Sequence, residues 1–229
     1  MIINMQAEVD QVSPEVLTEG NMKYPRLSNM GQLFTAGWRE KLIMAGRAYR
    51  MSIGTISGGD SFTAVGVATA VDLDLPCGAV AVDAGYLIPL SLQGSMTSDT
   101  DAIGDYVSCF LTADRATAIP GSEFAVATAE TPDNLLDGAP LFQGRAGSVF
   151  ATTPCTDPVH SDLLYHDMWS SVGANNLGPV SFVAEKTFEY PNFIKGPCTL
   201  LLYYGGTVQA HGMFSLCFAH VPASWFPSS

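Results

Sequence analysis

FIKGPCTLLLYYGGTVQAHGMFSLCFAH, residues 193–220, holds two strongly apolar runs around a loop with three glycines, Gln209 and His211. In CTLLLYY, residues 198–204, Leu200, Leu202 and Tyr204 alternate with Thr199, Leu201 and Tyr203. In MFSLCFAH, residues 213–220, Phe214, Leu216 and Phe218 take one side and Met213, Ser215, Cys217 and Ala219 the other. Successive side chains leave a pleated strand on opposite faces, so a period of two marks β-structure. Here both faces of both runs are largely apolar. That predicts central strands, with one face on the core and the other under a neighbouring subunit or a long loop. The stretch reads as a closing strand pair. His211 sits in its turn with no acid nearby in sequence, which makes it structural or interfacial rather than catalytic.

The same language recurs upstream. Residues 60–100 read as strand after strand, rich in Val, Ile, Thr and aromatics and punctuated by Gly, Asp and Pro. AVDLDLP, residues 70–76, alternates Val71, Leu73 and Leu75 against Asp72 and Asp74, the pattern of a half-buried strand. DYVSCFLTAD (105–114), GSEFAVATAE (121–130) and AGSVFATTP (146–154) are read as further strands. WREKLIMAG, residues 38–46, has the composition of a short helix, and residues 155–178 form the longest stretch without clear alternation. Eight to ten short strands with little helix predict an all-β fold, an antiparallel β-sandwich of jelly-roll type. The expected organisation is an extended amino-terminal arm over residues 1–29, a sandwich over 30–222 and a carboxy-terminal tail over 223–229.

Composition narrows the function classes. The chain has 229 residues, 47% hydrophobic and only 14% charged, whereas an ordinary soluble domain carries about 25% charged residues. Scarce surface charge beside abundant apolar side chains points toward assembly with other subunits. The formal net charge is −12 with ten basic residues, and neither end carries a basic cluster. Direct nucleic-acid binding is therefore not expected, because it requires grouped Lys and Arg against phosphates. The opening MIINMQAEVDQ lacks a basic region followed by an apolar core, so no signal peptide is expected. No run of 18 apolar residues exists, so no helical membrane insertion is expected either. Five cysteines (Cys77, Cys109, Cys155, Cys198 and Cys217) include no C-x-x-C, and Cys198 and Cys217 read as small hydrophobes. That argues against a disulfide framework and leaves room for one bond.

Catalytic and ligand signatures are sparse. SIGTISGGDSF lacks the lysine of a phosphate-binding loop, and no G-x-S-x-G is present. His160, Asp162 and His166 are chemically able to ligate a metal, as are Asp99, Asp101 and Asp105 for calcium, but neither spacing fits an established motif. No cofactor is expected. Glu123, Glu130, Glu185 and Glu189 would serve a glycosidase only if two of them faced one cleft. Trp169 with Asn175 and Asn176 is a seed for carbohydrate binding.

One resemblance stands beside these readings. AGRAYRMSIG, then DSFTAVGVATAVDLDLPCGAVAVDAGYLIPLSLQG, and finally NFIKGPCTLLLYYGG and GMFSLCFAHVP resemble, in order, single jelly-roll capsid and structural proteins of environmental phages and small icosahedral viruses. The likeness spans residues 46–222, with Gly196-Pro197 where that family turns with Pro-Gly. It implies a non-enzymatic capsid subunit located in the virion. Its partners would be copies of itself in a symmetric shell and other capsid proteins. Residues 1–24 would lie on a neighbour, with Met5, Tyr24, Trp38, Trp169, Trp225 and Phe226 as assembly contacts. The alternative function is a carbohydrate- or receptor-binding β-sandwich module of a spike or lectin-like kind.

Overall fold

The computed structural model describes residues 37–54, 60–62, 76–98, 106–148, 150, 162–170, 181–206 and 210–225. The expected arm over 1–29, the AVDLDLP strand up to Leu75 and the residues after Trp225 lie outside them. The described strands are β1 (Ala48–Ile53), β2 (Asp60–Phe62), β3 (Gly78–Val82), β4 (Tyr86–Ser98), β5 (Tyr106–Asp114), β6 (Thr128–Ala129) and β7 (Asp133–Asn134). They continue with β8 (Arg145–Ser148), β9 (Leu163–Ser170), β10 (Ser181–Thr187), β11 (Ile194–Lys195), β12 (Cys198–Gly206) and β13 (Ala210–Val221). Two short helices, α1 (Trp38–Met44) and α2 (Gly121–Val126), and a 3-10 turn at Ala223–Trp225 complete the described elements.

The strands form two antiparallel sheets packed as a sandwich. One runs β10-β4-β13-β1-β7, with β11 also on β4 and β2 also on β13; the other runs β6-β8-β3-β12-β5-β9. Eight longer strands carry the topology: β1, β3, β4, β5, β9, β10, β12 and β13. The first pairs with the last, the second with the seventh, the third with the sixth and the fourth with the fifth. The contacts β4–β13 and β5–β12 then join these nested pairs into two layers. The closing stretch therefore departs from the sequence reading. Its two strands are not paired with each other: β12 lies between β3 and β5, and β13 lies between β1 and β4 in the opposite layer. Alternation shows that a strand is covered on both faces but not which strand lies beside it. His211 is correspondingly a strand residue, opposite Thr97 and Ser61, and not part of a turn.

The core between the layers takes Leu200, Leu202 and Tyr204 from β12 and Phe214, Leu216 and Phe218 from β13. Phe218 is fully buried, stacked on Tyr49 at 5.8 Å and edge-on to Phe142 at 5.1 Å. Gly94 on β4 leaves room for Phe214, since a Cβ there would strike that ring. Gly94→Ala is accordingly an overpacking change, expected to lower stability by about 1–3 kcal/mol in denaturant titration.

The doubled apolarity of β12 also has its cause. Leu201 and Tyr203 face away from the core, yet both are fully buried in a second cluster with Ile119, Phe124 and Phe150. The excursion between β5 and β8 supplies Ile119 and Phe124 to that cover, and Phe150 follows β8. The Ile119 amide donates to Thr199 Oγ1 at 3.0 Å, and that hydroxyl donates to the Thr117 carbonyl at 3.0 Å, so the buried threonine is satisfied. Arg145 fastens the excursion by a two-pronged bond to Asp83 at 2.7 Å and a bond from Nε to the Ile119 carbonyl at 3.1 Å. Within this excursion GSEFAV is helix α2, not the expected strand. Pro120 precedes it with φ −60°, Glu123 sits in its first turn where the helix dipole favours an acid, and Phe124 packs edge-on against Phe150. The other sheet has its own partial cover: α1 and Trp225 close over Ala48, Ile88, Leu90, Ala219 and Val221. The cover over each sheet thus comes from the chain itself.

Residues 163–170, inside the stretch that lacked alternation, form edge strand β9. Its inward positions mix Tyr165, Asp167 and Trp169, which hides the period of two. Tyr165 OH donates to Asp167 Oδ2 at 3.2 Å, and burial together with that carboxylate raises the phenol pKa.

Candidate functional site

Of the metal candidates, Asp99, Asp101, Asp105 and His160 lie outside the described residues. Asp162 lies in a 3-10 turn immediately before β9, and His166 lies on β9. His166 is exposed and meets Phe110 edge-on at 6.2 Å. Among the described residues no group of three His, Cys, Asp or Glu side chains converges as a metal site would require. The glutamates are dispersed as well. Glu130 accepts from buried Ser148 Oγ at 2.6 Å, Glu123 sits on α2, Glu185 faces outward on β10 and Glu189 lies in the following loop.

The cysteines read as core residues. Cys77, Cys109, Cys198 and Cys217 are free thiols, the first three buried. Burial raises the pKa of Cys77 and of Cys109, and pushes that of Cys198 up to about 11. Cys77 Sγ also donates to the Leu202 carbonyl at 3.1 Å. A thiolate is the reactive form. Cys77, Cys109 and Cys198 should therefore resist an aromatic disulfide reagent in the native protein and react only on unfolding. Rapid native labelling of any of them, mapped by mass spectrometry, would contradict this placement.

His220 stands at the end of β13, half-buried. Burial against Phe142 (5.8 Å) lowers its pKa, Arg47 lowers it further, and its Nε2 contact with the Ala84 carbonyl at 3.1 Å partly offsets both. A depressed folded pKa means that the unfolded chain binds the proton more tightly. The stability contribution is thus complete above the ordinary histidine value of 6.5 and is lost as pH falls through the lower folded value. Melting temperature should drop as pH falls from 6.5 toward the lower folded value, and His220→Gln should flatten the drop.

The open surface lies on the outer face of the first sheet, beyond the reach of α1. The registers set Ser52, Ser215, Gln93 and Glu185 in one cross-strand row, and Met213, Ser95 and Val183 in the next. Together they line a shallow groove of about 320 Å³. Val183 is 65% exposed and Met213 38%. Phe214 also borders the groove, but its ring belongs to the core cluster, so no exposed aromatic side chain lines it. Only one ionisable side chain, Glu185, does.

The described assembly candidates are engaged within the subunit. Trp38 Nε1 donates to the Glu189 carbonyl at 2.9 Å, Trp169 packs on the main core, and Trp225 lies under Arg47 at 5.9 Å. Met5, Tyr24 and Phe226 lie outside the described residues, as do Asn175 and Asn176. The most exposed large apolar side chains among the described residues include Tyr190 at 80%, Leu141 at 67%, Val183 at 65% and Met168 at 57%. Tyr190 sits in FEYPNF, residues 188–193, where Tyr and Phe beside Pro and Asn look like ordinary turn residues. No helix among the described residues is long and apolar enough to cross a membrane.

No family model matches the sequence. No curated protein matches it either. A solved structure of infectious bursal disease virus, Gx strain, aligns at 13% identity and a TM-score of 0.14, over 78% of this chain and 38% of that one. The chain thus spans less than half of that protein's length, and a likeness at this level carries no argument.

Proposed function

We propose that the chain is a jelly-roll shell subunit, which assembles with copies of itself into a viral particle and performs no catalysis. The nested strand order carries this reading: first with last, second with seventh, third with sixth, fourth with fifth. A four-fold nested hairpin wrapped into two layers is the architecture of viral capsid domains, lectins and cupins. Fold alone does not choose among these, so the sites must. A cupin works through clustered histidines and a carboxylate on a metal, and the described residues hold no such cluster. A lectin-like module is best supported by an aromatic-lined cleft, and the described groove has no exposed aromatic wall. Low charge, at 14% of residues, favours a surface made to be buried. A net charge of −12 with ten basic residues gives no support to direct contact between this chain and a genome. Residues 1–24, with Met5 and Tyr24, remain our proposed arm onto a neighbour.

Light scattering tests the reading. The purified chain should give masses many times its 24.3 kDa. A strict monomer that binds defined sugars on a glycan array would replace the shell with the carbohydrate-binding module.

A further inference from the structure

One exposed turn is built for a covalent change. We propose that Asp137 and Gly138 form a site of spontaneous isoaspartate formation in the folded protein. The sequence contains one Asp-Gly step and no Asn-Gly step. That step occupies the centre of a turn closed by the Ala139 amide, which donates to the Leu136 carbonyl at 3.2 Å. Gly138 has φ 75°, a backbone conformation that glycine adopts without steric cost. Asp137 and Gly138 are both exposed, and a Cβ at Gly138 would meet nothing within 4 Å. No side chain therefore crowds the Gly138 nitrogen, and the turn's own hydrogen bond leaves it unused. The Asp137 carboxyl has no hydrogen bond or ion pair among the described residues. Other aspartates differ. Asp83 is held by Arg145 at 2.7 Å, Asp114 accepts from the Ala116 and Thr117 amides, and Asp167 accepts from Tyr165 and the Met168 amide.

The reaction needs no partner but water. The Gly138 amide nitrogen gives up its proton and attacks Cγ of the Asp137 carboxylic acid. A C–N bond forms, a C–O bond breaks, and the hydroxyl leaves with a proton as water. Water then opens the five-membered succinimide. Addition at Cγ restores aspartate. Addition at the main-chain carbonyl breaks the original peptide bond and leaves isoaspartate, with no net change in mass. The main chain now runs through the Asp137 methylene, one bond of about 1.5 Å longer. The loop around it is pinned on both sides. The Leu135 amide donates to the Ala48 carbonyl at 2.9 Å, Asn134 Nδ2 to the Gly46 and Pro140 carbonyls at 2.9 Å each, and the Leu136 amide to Asn134 Oδ1 at 2.9 Å. Ala139 packs so close to Gly46 that a Cβ on that glycine would sit 2.9 Å from its methyl. The extra atom enters between these anchors. It opens the hydrogen bond from Ala139 to Leu136 and loosens the loop from the junction of α1 and β1. The change proceeds whether or not copies of the chain assemble.

Ageing the purified full chain at body temperature in near-neutral buffer, with its fold checked throughout, tests this. Electron-transfer fragmentation of its peptides distinguishes isoaspartate from aspartate at each position. Isoaspartate should accumulate at 137 and not at 83, where Ala84 follows and Arg145 holds the carboxyl. Asp137→Glu would have to close a six-membered ring and should lose the signal. Asp137→Asn, whose amide leaves as ammonia, should isomerise faster than the wild type. Hydrogen exchange in the isomerised fraction should be faster across residues 134–141 than in fresh protein. A folded chain that ages without isoaspartate at 137, or gains it equally at 83, would overturn the site. Unchanged exchange in the isomerised fraction would overturn the loosening of the loop.

Discussion

Phe218→Ala should lower folding stability by about 3–5 kcal/mol, a large part of the roughly 5–15 kcal/mol available to a domain. The ring is fully buried between Tyr49 and Phe142. Removing it takes away apolar burial and leaves a cavity whose walls belong to different elements, β1 and the loop before β8. Such a site collapses poorly, and incomplete collapse places a truncation toward the upper end of that range. Phe142 also meets His220 at 5.8 Å, so the loss should spread to the end of β13. Chemical denaturation of the wild type and variant measures the difference. A loss under about 1 kcal/mol would show that the ring is not at the centre of the packing.

Leu201→Asp should be more damaging still, by more than about 4 kcal/mol, and should prevent accumulation of folded protein. Met213→Asp is its control and should change stability by no more than about 0.5 kcal/mol. Both residues point away from the core, so a simple inside–outside reading of the strands treats them alike. They differ in cover. Leu201 is fully buried beneath Ile119, Phe124 and Phe150, whereas Met213 is 38% exposed beside the groove. A carboxylate under that cover has no partner and no water. Equal tolerance of the two substitutions would mean that the excursion carrying α2 does not sit on β12.

These two experiments also mark what the sequence revealed and what it withheld. Leu200, Leu202 and Tyr204 against Leu201 and Tyr203 showed that β12 is buried on both sides. They could not show that the cover is the chain's own excursion, because a period of two is the same under a loop or a neighbour. The link of three residues between Gly206 and Ala210 invited a hairpin. Only the pairings of β12 with β3 and β5, and of β13 with β1 and β4, show that the chain changes layer there. GSEFAV imitated a strand because Phe124 and Val126 alternate with small residues, while Pro120 and Glu123 were the helix signals in plain sight. On β9 an inward Asp167 between Tyr165 and Trp169 broke the apolar period. For the surface, the sequence directed attention to tryptophans, the usual interface anchors. Within the chain, Trp38 bonds the Glu189 carbonyl, Trp169 packs on the main core and Trp225 packs on the cluster under α1. Tyr190 escaped notice because exposure is a property of the loop's path and has no sequence period.

Electron microscopy of the purified, concentrated full chain tests the central claim most directly. Closed particles of a uniform diameter, built from two-layered β subunits, are the predicted result. A field containing only monomers of 24.3 kDa at every concentration and salt condition would contradict it.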